Sequence, residues 1–596
     1  MLVSEPLTQL IMKNKIKNSF ASLSLSILFL LLTSLIVEAS SGFQVKDGKK
    51  KTDHVKGVVF SDANHNQKAD KGEQGIAGVV VSDGINVTRT DASGNYQLDS
   101  DITQKLIWMT LPANHKPSGL FWHNKDGKNN IDFGLISQQQ NKDLLFVQIT
   151  DAHIGRADRL KQLGMTINNL PVQIDFVVET GDLVAATDVL LPDKAPEQFE
   201  SALGAMKVFK QPIFHLPGNH EHVSSNVKEA DMNHPNYGKG LYNQLLGPTY
   251  YSWDWADIHF LALDGTSLPY REQLGATQLE WLQKDLDLQP QGKPVILFCH
   301  QPIPSLRDSK ELEKILAGRN VLGAFCGHIH KNYTLQFNDF NVFMSGAFSG
   351  TWWSGPNADG TPQGYRFIQI KNGELRTVYA STDGMTPISL KTPSATDILT
   401  GVTEFGISVV DFGKQCKVTG MYEDKPVVLR QTSRTDLWSF WEGTIDSRQA
   451  FDGGRKLKIM AVNGNETSSF EVRYLVDNNQ KEPFNADASA TLNIQINSDV
   501  NKALVILNGE MLGTIPAGTA KGSTITFDIP GDRLQRLNEV KLSIPENSKE
   551  NCNLGPVSLI YKDKKLHDQR DPFFQRYNLN RANEISGEKT LYYVIP

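Results

Sequence analysis

Five short polar motifs in the middle of the chain contain residue types that bind divalent metals and support hydrolysis. They are D-A-H at 151–153, G-D at 181–182, G-N-H-E at 218–221, His300 and G-H-I-H at 327–330, and each follows an apolar run. Imidazole nitrogens combined with carboxylate and amide oxygens suit Mn, Fe or Zn better than Ca or Mg. Each motif alone is a weak signal, but the five together, each after an apolar run, indicate a site for divalent metals.

Hydrolysis of a phosphate ester is a reaction that such ligands could support. It requires that charge on the non-bridging oxygens be neutralised and that a nucleophile be produced from water, and two divalent ions do both. Cys299 directly precedes His300. Because successive side chains of a strand point to opposite faces, Cys299 is predicted to lie in the core and not to bind metal.

The apolar runs ahead of the motifs predict the strands that position them. From residue 144 to about residue 380, apolar strands alternate with amphipathic helices, which is typical of an α/β layer fold. The predicted core strands are LLFVQIT, DFVVETG, PIFHLPG, IHFLALD, PVILFCH and VLGAFCG. The segment GATQLEWLQKDL is predicted to be a helix, with Thr277 and Glu280 spaced as a capping box.

The order of the five motifs resembles the calcineurin-like metallophosphoesterase superfamily. The resemblance implies a four-layer α/β/β/α core with its site at the strand ends and two divalent transition-metal ions. Carried over residue by residue, it assigns Asp151, His153, Asp182 and His330 to one ion, and Asp182, Asn219, His300 and His328 to the other. Asp182 is then the bridging carboxylate, and a bridging hydroxide opposite it is the nucleophile.

The same resemblance assigns catalytic and supporting roles beside the metals. His220 corresponds to the histidine that protonates or stabilises the leaving-group oxygen, and Glu221 is expected to orient a ligand. Purple acid phosphatases add a tyrosine ligand shortly after the G-D motif, whereas this chain reads GDLVAAT. This departure argues against a tyrosine-ligated Fe(III) centre.

Several aromatic and basic residues near the motifs are candidates for substrate contact. Trp352, Trp353 and Tyr365 lie in FMSGAFSGTWWSGPNADGTPQGYRFI, which is similar to a bacterial subgroup of these phosphoesterases that carries N- and C-terminal β-modules. They could line the cleft or pack at a domain junction. Arg156 and Arg307 follow two of the motifs and could contact a phosphate oxygen, or they could be solvated surface residues.

The regions on either side of the central domain consist of short β-like runs separated by turns, which predicts β-sandwiches. The fold class is therefore multidomain α/β plus all-β. The predicted domains are 54–138, an N-terminal β-sandwich module; 141–385, the phosphoesterase domain; 388–483, an Ig- or fibronectin-like sandwich; and 486–596, a C-terminal β-domain similar to a galactose-binding jelly roll. All nine tryptophans lie between Trp108 and Trp441. Packing is therefore the alternative to carbohydrate binding for the last domain.

A second group of oxygen ligands lies in the N-terminal module. Positions 1, 3, 5, 9 and 12 of a twelve-residue loop are occupied by Asp62, Asn64, Asn66, Asp70 and Glu73. This is the spacing of an EF-hand-type calcium site, although Gln67 stands where that loop normally needs glycine. A polar surface turn is the alternative to calcium binding.

Residues 1–39 contain the layout of a secretory signal peptide. Lysines at 13, 15 and 17 precede an apolar stretch from Phe20 to Val37, and cleavage is expected after Ala39. The protein is therefore expected to be exported, to the periplasm, the cell surface or the medium of a bacterium, without a stable membrane anchor. An uncleaved anchor is the alternative.

Length and composition exclude several classes of protein. A chain of 596 residues is too long for one compact core, and 39% hydrophobic with 21% charged residues excludes a largely disordered or polytopic membrane protein. A net charge of −6 gives no basic surface for dedicated nucleic-acid binding, so the predicted partner is a phosphoester substrate. The sequence does not indicate an oligomeric state.

A non-catalytic cell-envelope or carbohydrate-binding protein with a relic metal domain is the rival interpretation. Relic domains usually lose ligands, whereas all the expected ligand positions and His220 are present in this chain. The sequence therefore favours an enzyme.

Overall fold

The computed structural model describes residues 52–154, 157–267, 271–353, 355–382, 386–497, 502–544, 552–570, 577–579 and 587–596. The predicted signal peptide and Arg156 lie outside these ranges. Residues 54–100 and 104–596 belong to one unit. Residues 101–103 belong to a second unit, in which the Thr103 amide donates to the Asp101 carboxylate at 2.9 Å.

The N-terminal region contains eight strands in two sheets. They are β1 (Thr52–Ser61), β2 (Val80–Ser82), β3 (Val87–Arg89), β4 (Asn95–Asp101), β5 (Leu106–Met109), β6 (His115–Pro117), β7 (Trp122–Asn124) and β8 (Phe133–Ser137). One sheet has the order β4-β1-β8-β6 and the other β3-β2-β5-β7. Val59 and Phe133 from the first sheet are buried in the same core as Val81 and Ile107 from the second. The short β-like runs of this region therefore form strands, as the sequence predicts.

The central region alternates strands and helices. Its elements are β9 (Leu144–Ile149), α1 (Ala157–Asn168), β10 (Val177–Glu179), α2 (Ala195–Met206), β11 (Ile213–His215), α3 (Gly240–Leu245), β12 (Tyr251–Trp255), β13 (Ile258–Leu263), β14 (Thr266–Ser267), β15 (Arg271–Glu272), α4 (Ala276–Asp287), β16 (Pro294–Cys299), α5 (Ser309–Leu316), β17 (Asn320–Cys326), β18 (Tyr333–Phe337), β19 (Phe340–Met344), β20 (Gly364–Lys371) and β21 (Glu374–Ser381). All six predicted core strands are present.

Two large sheets organise this region. The first has the order β11-β10-β9-β20-β21, and the second β12-β13-β16-β17-β19-β18. Strands β9, β10 and β11 run parallel, as do β13, β16 and β17. Because parallel strands have their carboxyl ends at the same edge of a sheet, the segments that follow them are brought together.

The two sheets share a hydrophobic core. The ring of Phe146 on β9 lies 5.8 Å from that of Phe260 on β13 and 6.2 Å from that of Phe298 on β16, measured between centroids. The neighbouring Val147 points the other way and packs with buried residues of α1 and α2. Cys299 lies fully buried with residues of α4 and α5, as predicted.

Helix α4 does not begin as the sequence predicts. The prediction that Thr277 and Glu280 form a capping box is wrong, because Gly275 is the N-cap and no side chain caps the helix. The Asp308 carboxylate accepts the amides of Leu274 at 3.1 Å and Gly275 at 2.7 Å. Glu280 instead forms an ion pair with Lys284, one turn along the helix, with Oε1 of Glu280 2.7 Å from Nζ of Lys284. A residue remote in sequence therefore fixes this helix start.

The remaining chain is strand-rich and contains two further cores. The first has β22 (Ile388–Thr392), β23 (Ile398–Leu399), β24 (Val402–Val410), β25 (Lys417–Tyr422), β26 (Lys425–Val427), β27 (Leu429–Arg434), β28 (Trp438–Asp446), β29 (Gly453–Asn463) and β30 (Glu466–Val476). The second has β31 (Ala490–Ile496), β32 (Ala503–Leu507), β33 (Glu510–Ile515), β34 (Thr524–Ile529), β35 (Leu537–Ser543), β36 (Cys552–Tyr561), β37 (Lys564–Leu566), β38 (Tyr577–Leu579) and β39 (Glu588–Val594).

Each of these two regions has two sheets. Their orders are β22-β24-β28-β27 and β23-β30-β29-β25-β26 in the first, and β34-β31-β36-β37 and β33-β32-β35-β39 in the second, where β38 also pairs with β36. Leu492, Ile494 and Ile496 alternate along β31 and are buried, as their spacing predicts. None of the helices in the described ranges has the length and apolar content needed to span a membrane.

Candidate metal centre

The polar motifs meet where the central strands end. The predicted ligands follow β9, β10, β11, β16 and β17, in the order Asp151 and His153, Asp182, Asn219, His300, and His328 and His330. Backbone hydrogen bonds connect the motif segments: the Asp151 amide donates to the Gly181 carbonyl at 3.0 Å, and the Gly327 amide to the His300 carbonyl at 2.9 Å. Parallel pairing therefore assembles residues that are far apart in sequence.

Asp151, His153 and His330 form one cluster of metal-binding groups. Nε2 of His330 lies 3.2 Å from Oδ1 of Asp151 and 3.1 Å from Nε2 of His153. Nδ1 of His330 lies 3.0 Å from the Gly350 carbonyl and donates to it, which directs Nε2 into the cluster. Such a partner on the outer nitrogen is typical of a histidine that binds metal.

Asp182, His300 and His328 form a second cluster. Nε2 of His300 lies 3.2 Å from Oδ2 of Asp182 and 3.2 Å from Nδ1 of His328. Nδ1 of His300 donates to the Thr180 carbonyl at 2.9 Å, which directs Nε2 into the cluster. Oδ2 of Asp182 also lies 3.8 Å from Nε2 of His153 in the first cluster. Asp182 is therefore located between the two clusters.

The donor atoms of the clusters are of the types that bind a divalent cation. Nε2 of His153 lies 3.1 Å from Nε2 of His330, and Nδ1 of His328 lies 3.2 Å from Nε2 of His300. The other ring nitrogens of His300 and His330 donate to backbone carbonyls, so the nitrogens inside the clusters are the ones that could bind a cation. Within the described chain, Oδ1 of Asn219 is buried and has no hydrogen-bond partner. A buried oxygen without a partner is costly, and a cation beside it would satisfy its lone pairs.

The backbone at the clusters is strained. Five of the predicted ligands have positive φ angles: Asp151 (52°), His153 (40°), Asp182 (54°), His328 (70°) and His330 (52°). Each such residue costs on the order of 1 kcal/mol and persists only where surrounding contacts impose the conformation. Gly218 is required for a different reason, because a Cβ there would lie 2.2 Å from Oδ1 of Asp182. The backbone conformations that bring the predicted ligands together therefore lower the local stability of the fold.

Burial and neighbouring charges set the protonation of the ligands. Burial opposes the ionised form of Asp182, but His300 and the other histidines around it hold its pKa well below the usual range. The pKa of Asp151 is lowered by the same balance, with His330 the main stabilising charge. Burial lowers the pKa of His153 to about 4. Burial opposes the charged forms of His300 and His330, but Asp182 and Asp151 raise the pKa of His300 to about 10, and Asp151 raises the pKa of His330. Because metals bind ionised carboxylates and neutral imidazoles, a cation would displace a proton from each of these two histidines.

His220 is held from behind by Asp188, which the sequence analysis missed. Nδ1 of His220 lies 2.8 Å from Oδ1 of Asp188, whose other oxygen accepts from the Asn226 side chain at 2.7 Å. Nε2 of His220 lies 3.9 Å from Oδ2 of Asp182. Burial opposes the charged imidazole, but the carboxylates of Asp182 and Asp188 raise the pKa of His220 to about 9. His220 is therefore arranged to hold a proton that faces the clusters.

Glu221 holds the backbone of the site. Its buried carboxylate accepts the amides of Asp182 at 2.9 Å, Val184 at 3.0 Å and Gly218 at 2.7 Å. Burial and the charge of Asp182 raise the pKa of Glu221 to about 8. These contacts hold the backbone of the Asp182 loop. The expected role of Glu221 in orienting a metal ligand stays a prediction.

Glu272 is a second residue that sequence reasoning missed. Its Oε1 lies 3.6 Å from Nε2 of His328, on the side away from His300. Arg307, a predicted substrate contact, is exposed, and its amide donates to the Glu272 carbonyl at 2.9 Å. No motif marks Glu272, because β14 and β15 are only two residues long each.

The other predicted substrate contacts lie in different environments. Trp353 lies beside the first cluster, with its ring centroid 5.6 Å from that of His153. It lines a cavity of about 220 Å³ together with His153, Asp182, Asn219, His220, His328, Ile329, His330, Thr351 and Ala358. Tyr365 is buried in the core and packs against Phe367 at 5.2 Å. Trp352 lies in the 3₁₀ turn Thr351–Trp353, and its side chain is outside the described structure.

The predicted calcium loop is closed by its own hydrogen bonds. Gln67 adopts a φ of 61°, the left-handed conformation that glycine normally supplies at this position. The side chains bond as follows: Asp62 accepts the amides of Asn66 (3.1 Å) and Gln67 (2.8 Å), Asn64 and Asn66 donate to Asp70 (2.8 and 2.7 Å), and Glu73 accepts the Ala63 amide (2.9 Å). These bonds also satisfy a polar turn, so calcium binding stays a prediction.

Comparison with known proteins agrees with this geometry. Residues 144–332 match the calcineurin-like phosphoesterase family, and residues 62–138 match the N-terminal region of calcineurin-like phosphoesterases. The chain is 26% identical over 230 residues to the 3′,5′-cyclic adenosine monophosphate phosphodiesterase of Haemophilus influenzae, covering 36% of this chain and 79% of the relative.

Two further relatives are named as phosphodiesterases. A "probable cyclic nucleotide phosphodiesterase" of Fibrobacter succinogenes is 27% identical over 228 residues, covering 35% of this chain and 82% of the relative. A "probable glycerophosphodiester phosphodiesterase" of Arcobacter nitrofigilis is 26% identical over 227 residues, covering 34% of this chain and 77% of the relative. Residues 144–332 therefore form a domain of the hydrolytic calcineurin-like phosphoesterase family, preceded at residues 62–138 by the N-terminal module of that family.

Proposed function

We propose that this chain is an exported, dinuclear metal-dependent phosphodiesterase. The observation that carries the proposal is the position of Asp182, whose Oδ2 lies 3.2 Å from Nε2 of His300 and 3.8 Å from Nε2 of His153. One carboxylate therefore faces ligands of both clusters, which is the arrangement that a two-metal site requires. The names of the relatives favour a diester over a monoester as the substrate.

The two ions would be Mn, Fe or Zn, which suit this mixture of nitrogen and oxygen ligands. Asp151, His153, Asp182 and His330 would hold one ion, and Asp182, Asn219, His300 and His328 the other. When bound, such a pair neutralises charge on the phosphate oxygens and lowers the pKa of water near neutral pH.

His220 would assist departure of the leaving group. Its Nε2 faces the cavity and Nδ1 is bonded to Asp188, so the proton on Nε2 is directed at a substrate held there. Transfer of this proton to the ester oxygen would release the alcohol in neutral form, and the carboxylate of Asp188 would fix the ring while it does so.

The same proposal includes the location and architecture of the protein. Residues 1–39 would direct export to the periplasm, cell surface or medium and then be removed. Residues 141–385 would form the four-layer catalytic core, and sandwiches at 54–138, 388–483 and 486–596 would flank it. The pairs of sheets with separate buried cores support this division.

The test compares wild-type protein with Asp182→Ala and with Asp257→Ala, which removes an exposed carboxylate outside the clusters. We expect wild type and Asp257→Ala to bind two ions per chain and to hydrolyse bis-p-nitrophenyl phosphate with Mn, Zn or Fe(II). Asp182→Ala should lose both ions and all turnover. Folded wild-type protein that binds no ion would instead favour the non-catalytic interpretation, and full activity of Asp182→Ala would refute the shared-ligand role.

A further inference from the structure

A second, larger cavity adjoins the one over the metal clusters. It has a volume of about 660 Å³, compared with about 220 Å³ for the cavity that contains Asp182 and His220. The two cavities have His153 and Trp353 in common. A ligand anchored at the clusters can therefore extend along Trp353 into a space of the size that organic ligands occupy.

The charge of the larger cavity comes from Arg159 on α1. Among the described residues that line it, Arg159 is the only arginine, lysine, aspartate or glutamate. Its guanidinium carbon lies 5.4 Å from the ring centroid of Phe348, a buried residue of the same cavity. No carboxylate of the described chain lies within 4.0 Å of this guanidinium. Packing on the ring orients the guanidinium and leaves its N–H donors available to an anion.

Trp353, like His153, lines both cavities. Its ring centroid lies 5.6 Å from that of His153 and 6.4 Å from that of His220, and the residue is 45% exposed. Its φ of 64° is unusual for a bulky side chain and indicates that the fold imposes this position. An exposed aromatic face beside the clusters can pack against the apolar part of a substrate.

We propose that Arg159 is a specificity-determining residue that selects phosphodiesters in which one ester arm carries a second anionic group. The arm lies along Trp353 in the larger cavity, and its carboxylate or phosphate accepts hydrogen bonds from Arg159. This inference rests on the proposed function, because it places the scissile phosphate at the metal clusters. The smaller cavity holds the phosphate, and the larger one distinguishes between arms.

The test uses two substrates that differ in one charge. They are 2-carboxyethyl p-nitrophenyl phosphate and its isosteric amide, 2-carbamoylethyl p-nitrophenyl phosphate. In wild type we expect kcat/KM to be about fivefold higher for the carboxylate, the effect of one charge-assisted hydrogen bond to an exposed arginine. Arg159→Gln should abolish the preference, because kcat/KM should fall more for the carboxylate than for the amide, and Arg159→Glu should reverse it.

Arg376→Gln is the matched control, because Arg376 on β21 is paired with Glu374 outside both cavities. It should retain the wild-type ratio. A ratio that is the same in wild type and Arg159→Gln would overturn the proposal. The change in ratio is the decisive quantity, because the metal cations attract both anionic substrates in every variant.

Hydrolysis of bis-p-nitrophenyl phosphate separates this proposal from the proposed function. If wild type hydrolyses it and Arg159→Gln leaves the preference unchanged, only the selectivity proposal fails. If no diester is hydrolysed, the proposed function fails, and calorimetric titration with phosphonate analogues of the two substrates decides the selectivity. Weaker binding of the carboxylated phosphonate to Arg159→Gln would support the role of Arg159, and equal binding by both proteins would overturn it.

Discussion

Replacing Asp188 by Asn tests whether His220 works as a proton donor. The substitution keeps the size of the side chain but removes the charge that lies 2.8 Å from Nδ1 of His220. A charge-assisted hydrogen bond of this kind is worth about 1.5 to 3 kcal/mol, and about 1.4 kcal/mol corresponds to a factor of ten in rate. We therefore expect kcat for a diester with an alkyl leaving group to fall by about 10- to 100-fold.

The leaving group supplies the control. p-Nitrophenolate departs without prior protonation, so bis-p-nitrophenyl phosphate should be hydrolysed by Asp188→Asn at nearly the wild-type rate. Metal content should be unchanged, because Asp188 is not in either metal cluster. The double variant Asp188→Asn/His220→Ala should be no slower than His220→Ala alone, since the two residues act as a unit.

Steady-state kinetics with both leaving groups, together with metal analysis of each variant, measures these effects. Equal losses for the alkyl and nitrophenyl substrates would refute the reasoning, because they would mean that Asp188 does not act through proton transfer. Loss of bound metal in Asp188→Asn would also refute it, because Asp188 would then support the metal site.

Three further predictions concern contacts around the site and in the core. Gly218→Ala should abolish turnover and metal binding, both measured on folded protein, because its Cβ would lie 2.2 Å from Oδ1 of Asp182. Glu221→Gln should weaken metal binding about 10- to 100-fold in a competition titration, since a carboxylate that accepts three backbone amides is lost. Burial opposes charge on His259, but Asp285 at 2.8 Å and Asp254 raise its pKa to about 9. The charged His259 stabilises the fold by about 3 kcal/mol, an effect that is complete below pH 6.5 and is lost as pH rises through about 9. Thermal unfolding against pH and NMR titration of His259 measure this effect. A titration midpoint near 6.5 would contradict the prediction.

The sequence contained enough information to predict the strands and the polar motifs that follow them. Apolar runs such as LLFVQIT and PVILFC are long and strongly patterned, so β9 and β16 could be inferred locally, whereas the metal-binding roles of Asp151 and His300 are implied only by the family resemblance and stay a prediction. The expectation that Cys299 points into the core followed from strand alternation, and the structure agrees.

Residues that act through tertiary contacts could not be found in this way. Asp188, Glu272 and Arg159 lie in segments without a motif, and only the fold brings them to His220, His328 and the larger cavity. The start of α4 was missed for the same reason, because Asp308 fixes it from 33 residues away. Tyr365 had a suitable residue type, but its strand position places it in the core.

The most direct test of the account is an anomalous diffraction experiment on crystals of the protein grown with Mn²⁺. We predict two strong anomalous peaks about 3.5 to 4 Å apart, one at Asp151, His153 and His330 and the other at His300 and His328, with Asp182 between them. A single peak, or peaks away from Asp182 in a folded and fully occupied crystal, would contradict the dinuclear centre.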